Sequence, residues 1–196
     1  MKTRRPVSLW SLSLLLLSPA MAQAHVLPGE DGFVSGLVHP VLGCDHLLAM
    51  VSVGILSAQI GGRALWNVPA AFLSTMVLGG VLGLAVVPIP SVPTGIAVSV
   101  MALGAAIAAA PQMPIPLGMI FVGVFGIFHG HVHGVELPYI TRPWLYAAGF
   151  ILGTVGLHLT GVGLGLVSKI TKFGPVTLRL AGAAISCFGV SFYLGF

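Results

Sequence analysis

Charge is what this sequence has least of: only 6% of its 196 residues are Asp, Glu, Lys or Arg, against 57% hydrophobic residues. Soluble domains carry charge at roughly a quarter of positions. A water-facing surface cannot be assembled from so few charges, so lipid must be the solvent for most of the chain. Cysteine is nearly as scarce. Cys44 and Cys187 are the two present, which excludes a disulfide framework and a CxxC metal site. Both fall in apolar stretches and are expected to be core thiols. A basic run is missing too. The net charge of +4 comes from eight bases scattered over chain ends and loops, with no run beyond residues 2–5. That distribution reads as membrane topology and not as a nucleic-acid surface.

What is present begins with a leader. Lys2, Arg4 and Arg5 precede an apolar run from Val7 to Leu17, and Ala22-Gln23-Ala24 follows. A basic n-region, a short h-region and an A-x-A site describe a secretory signal, and the run is short for a span, which needs about 20 residues. Residues 1–24 are therefore expected to be a signal peptide cleaved after Ala24, leaving His25 at a mature N-terminus outside the cytoplasm.

Six apolar stretches follow, at 33–59, 64–87, 92–110, 115–130, 143–167 and 174–196. Each is near the length that crosses a bilayer as a helix. The expected fold is an all-α polytopic membrane protein, with residues 25–196 forming one six-helix transmembrane bundle. From an outside N-terminus, the cytoplasmic connections hold Arg63, Lys169 and Lys172, with Arg179 close by, and the external ones hold Arg142. This bias obeys the positive-inside rule and places the chain in a bacterial inner membrane with a periplasmic N-terminus. Small residues four apart, at Gly79/Gly83, Gly149/Gly153 and Gly161/Gly165, mark close helix approaches. A homo-oligomer is compatible with all of this.

The chemistry is concentrated in two places. His39, Gly43, His46 and Met50 follow one another at helical spacing in the first span, and Asp45 lies about 100° around from His46. Asp45 either turns to a neighbouring helix or orients an imidazole. Pro40 can kink or break the helix, and broken helices in membranes line cavities. An Asp at mid-span costs about 2.5–3.5 kcal/mol on insertion scales, so it demands a partner. Satisfied core hydrogen bonding would explain one such histidine; Met50 alone suits packing. The second place is the end of the fourth span, Phe128-His129-Gly130-His131-Val132-His133-Gly134-Val135-Glu136. If this segment is helical, His129, His133 and Glu136 share a face and His131 points away; if extended, all three histidines face one side. Imidazole and carboxylate are the usual ligands of first-row divalent metals. Depth suggests ligands stepping down from the external face. Secondary candidates are His158 in the fifth span, and His25 through its free amine and ring.

These two motifs resemble those of the HupE/UreJ family of nickel and cobalt permeases. The family's HPxxGxDH pattern is matched by His39, Pro40, Gly43, Asp45 and His46, and its FHGx[AV]HGxE pattern by Phe128, His129, Gly130, Val132, His133, Gly134 and Glu136. The resemblance covers essentially the whole mature chain. It implies uptake of Ni²⁺, or Co²⁺ in some members, with the metal as substrate and no fixed cofactor. The residues themselves also admit a membrane-embedded metalloenzyme with a fixed His-bound metal, or a metal sensor or accessory protein. Outside the two clusters there is no further nucleophile or acid–base constellation, which favours a permease over an enzyme.

Overall fold

The computed structural model describes residues 32–195; the leader and His25 lie outside the described residues. The chain is helical throughout, running α1 (Phe33–Leu42), α2 (Cys44–Ile60), α3 (Ala64–Leu84), α4 (Val92–Ala109), α5 (Ile115–Glu136), a 3-10 turn (Leu137–Tyr139), α6 (Pro143–Ile170) and α7 (Gly174–Leu194). Five helices, α3 to α7, are long and apolar enough to cross a membrane. The pair α1 and α2 makes a sixth span if its halves are taken together.

That first span is not the continuous helix expected over 33–59. It breaks at Gly43, and its halves bend by 83°. Pro40 lies inside α1, where its ring and missing amide act on the preceding turn, toward Gly36, and the helix runs on to Leu42. Gly43 then takes an extended conformation, φ −81° and ψ 109°, ending α1 and starting α2. The even stripe from His39 to Met50 is therefore split. Met50 is fully buried among Ala49, Val53 and Phe72 in the apolar core.

Helices that adjoin in sequence are not the ones that pack most closely. The tight pairs are α3 with α5, α1 and α2 with α6, and α4 with α7. In each, glycine lets backbones touch. A methyl group on Gly130 would overlap the Met76 carbonyl, on Gly134 the Gly80 carbonyl, on Gly161 the Val51 carbonyl, and on Gly149 the Phe33 carbonyl. All six glycines singled out by spacing lie in such seams except that Gly165 meets the Ala58 side chain. Lipid is as apolar as a leucine side chain, so nothing but close packing and polar contacts selects partners, and glycine faces decide.

The outer surface is correspondingly apolar, with Ile170, Trp144 and Trp66 exposed. Cys44 and Cys187 are exposed free thiols, contrary to the core placement expected from their apolar neighbours. An apolar flank predicts burial in water; in lipid it is equally a description of the surface. The helices' ends divide the bundle in two. One end gathers the histidine motifs; the other carries Arg63, Lys169, Lys172 and Arg179.

A histidine nest between three spans

The break at Gly43 sets the first half of the site. As the first helical residues of α2, Cys44, Asp45 and His46 have amides with no partner in the preceding turn. Asp45 Oδ1 accepts the His46 N–H at 2.8 Å and also the His46 ring at Nδ1, 2.9 Å away. Asp45 thus orients an imidazole instead of turning to a neighbouring helix. Its charge suits the positive end of α2. Gly43 is needed beside it: a methyl there would sit 3.2 Å from Asp45 Oδ1 and 3.5 Å from His46 Nδ1, crowding that pair.

The second half comes from α5, which stays helical to Glu136. His129 and His133 therefore share a face with Glu136. His131, some 200° around from His129, binds the Val87 carbonyl through Nε2 at 2.8 Å and holds the loop after α3. It does not join the others.

The two motifs interlock into one nest in place of two successive steps. His46 Nε2 lies 2.7 Å from His133 Nε2. Ring centroids are 4.7 Å apart for His46–His129, 4.7 Å for His46–His133 and 4.8 Å for His39–His133. His129 is fully buried, and His39, His46 and His133 are less than a tenth exposed. The carboxylates sit at the rim, with side-chain exposures of 37% for Asp45 and 50% for Glu136. Among the described residues, no three His, Cys, Asp or Glu side chains already stand in ligating geometry. The rings fill the centre themselves.

Donor counting assigns the protons. A carboxylate only accepts, so neutral His46 carries its hydrogen on Nδ1 and presents a lone pair at Nε2. His133 Nε2 then donates to it, leaving His133 Nδ1 with a lone pair, 3.4 Å from Glu136 Oε2 and without a hydrogen bond. Ser99 donates its hydroxyl to the Ile96 carbonyl at 2.6 Å and so must accept from His129 Nε2 at 2.8 Å. His129 Nδ1 is left as a second buried lone pair with no partner. Bare imidazole nitrogens that are held in orientation by a carboxylate and a hydroxyl are the groups from which a metal site is made.

Three features of the nest escape the motifs. Tyr146 and Phe150 of α6 wall it, with Phe150 4.4 Å from His133 and Tyr146 5.7 Å from His39 between ring centroids. Ser99 is the buried polar side chain of α4, whose other hydroxyl residue, Thr94, is exposed, and a single serine in an apolar helix gives no signal that could have found it. Phe72 stands between His129, 5.6 Å away, and His158, 5.3 Å away. His158 is 2% exposed and its Nε2 has no partner.

Comparison with known proteins identifies the family. The family model described as HupE / UreJ protein matches residues 12–192. Protein HupE of Rhizobium leguminosarum bv. viciae is 44% identical over 180 residues, covering 92% of this chain and 94% of that one. No solved structure matches. With both motifs intact and a match running through all the membrane helices, this multi-span membrane protein belongs to the HupE/UreJ family.

Proposed function

We propose that the chain is an inner-membrane permease that takes up Ni²⁺, or Co²⁺, through the histidine nest, with that end of the bundle facing the periplasm. The orientation is supported by the charge difference between the ends: every Lys and Arg from residue 143 onward lies at or near the far end, as does Arg63. Cleavage of residues 1–24 belongs to the same reading, because it leaves the mature N-terminus on the nest side.

The observation that carries the proposal is the direct contact of His46 and His133, two imidazoles from different spans flanked by Asp45 and Glu136. Two nitrogens on one ion, each about 2.0–2.1 Å from it, stand about 3.0–3.4 Å apart. Their present 2.7 Å separation is thus short of a ligand pair by only a few tenths of an ångström. A cation drawn to the rim carboxylates gains the lone pair of His46 Nε2 and, as the His133 proton passes from Nε2 to Nδ1 beside Glu136, that of His133 Nε2, with the lone pair of His129 close by. Partial, exchangeable ligation of this kind lets an ion enter and leave, where a closed cage would trap it. His39 completes the nest, and His158, beyond Phe72, is the next imidazole inward. Met50 and His131 take no part in ligation in this reading.

The test is uptake of radioactive nickel and cobalt into proteoliposomes. Asp45→Ala is expected to lower uptake by about a hundredfold, as loss of the group that orients a ligand does at its upper end, while the protein still inserts. Uptake equal to the unaltered protein removes the nest from the route. Stoichiometric metal surviving purification, with no flux, would instead mark a fixed-metal enzyme or sensor.

A further inference from the structure

The end of the bundle away from the nest holds an open cavity of about 750 Å³, bounded by the C-terminal ends of α2 and α6, the 110–114 loop and the start of α7. Its lining has two characters. Lys169 and Arg179 supply positive charge, and Ile60, Met113, Val176 and Leu178 supply apolar surface. Both cations are exposed. Arg179 gives one long hydrogen bond, 3.4 Å, to the Ala109 carbonyl, and Lys169 Nζ lies beside Gly61.

No acid among the described residues neutralises them. The four acidic residues are Glu30, Asp31, Asp45 and Glu136. Of these, Asp45 and Glu136 are among the described residues, and both sit in the nest at the opposite end. A cleft between membrane helices that joins two uncompensated cations to an apolar wall is complementary to a molecule with an anionic head and a hydrocarbon tail. Basic pockets of this kind at the cytoplasmic side accept phospholipid head groups. We propose that this cavity is a binding site for one anionic phospholipid, its phosphate held by Lys169 and Arg179 and an acyl chain laid against Ile60, Met113 and Val176. Inorganic phosphate shares the charge but lacks the tail, so the lipid gains from both halves of the lining.

The test is native mass spectrometry of the full-length protein in detergent, titrated with phosphatidylglycerol or with phosphatidylcholine. One phosphatidylglycerol is expected to be retained in preference to phosphatidylcholine. K169Q with R179Q should weaken retention by about fivefold for each cation removed, about thirtyfold together. K169R with R179K should keep it, showing that charge and not the particular side chain matters. K172Q should also keep it, because Lys172 lies at the same end over the Phe173 ring, 5.3 Å from its centre, and is not part of the lining. Equal retention of the two lipids, equal losses in K172Q, or displacement of the lipid by millimolar inorganic phosphate would overturn the proposal. The site is remote from the nest, so its failure leaves the transport reading untouched, and unchanged uptake by Asp45→Ala leaves this site untouched.

Discussion

The two ends of the bundle are built by opposite means. At the nest, backbones press together at Gly130 and Gly134, rings touch rings, and imidazole protons are assigned by a carboxylate and a hydroxyl. At the basic end the helices part around a cavity, and its cations have no acid in reach among the described residues. The difference teaches that polar groups which must be held in register under lipid are enclosed by close packing on every side. Where charges reach the interface and are solvated, the helices stand apart. Polar groups inside a membrane are costly unless their partners are fixed; near its edge, water and head groups supply partners freely.

The largest effect that would break this contrast comes from packing. Gly134→Leu places a side chain against the Gly80 backbone, which cannot yield, whereas Gly163 of α6 has open space around it. Overpacking against side chains costs about 1–3 kcal/mol, and against backbone more. Gly134→Leu is expected to abolish accumulation of folded protein in membranes while Gly163→Leu accumulates normally, as measured by fluorescence-detected size exclusion. Equal behaviour would mean that the nest end is no more tightly specified than the rest.

A smaller effect concerns protons. On the proposed route the ion and the proton compete for the same imidazole lone pairs, so cobalt affinity should fall on acidification, by up to about tenfold per pH unit for one competing proton. Cobalt titration of the purified protein between pH 8 and pH 6, on the order of two units, checks the sign. The slope should be the same in K169Q/R179Q, since those cations are at the other end. An affinity that rises as pH falls would contradict ligation by the imidazoles.

The smallest concerns Ser99. Its counterpart in position at the basic end, Ser168, bonds only within its own helix, to the Gly165 carbonyl at 2.7 Å. Ser99→Ala frees the His129 ring to change tautomer and is expected to lower cobalt affinity by about tenfold, the low end for loss of a ligand's supporting hydrogen bond. Ser168→Ala should leave it unchanged in the same titration.

Much of the nest is legible in residue spacing. The i, i+4, i+7 spacing of His129, His133 and Glu136 puts them on one face if helical, and α5 is helical to that point. Pro40 points to a break in the first span, and the break comes three residues later at Gly43. Ser99, Tyr146, Phe150 and Phe72 are not legible as parts of the site, because one serine or one aromatic stripe in an apolar helix is indistinguishable from ordinary packing. The expected burial of the two thiols fails for a related reason, since hydropathy does not separate a lipid-facing position from a buried one.

By itself the sequence determined that the chain lives in lipid, roughly where its membrane helices lie, and which side chains are candidates for metal chemistry. Those are consequences of composition and local spacing, and the cost of an unsatisfied backbone in a bilayer leaves helix as the available form. Only the tertiary structure decided that the first span pairs with the fifth, the second with the fourth and the third with the sixth, and that the two motifs merge into a single nest. In lipid, association turns on the fit of glycine faces at atomic range, and that fit is a property of surfaces brought together, which no linear pattern displays.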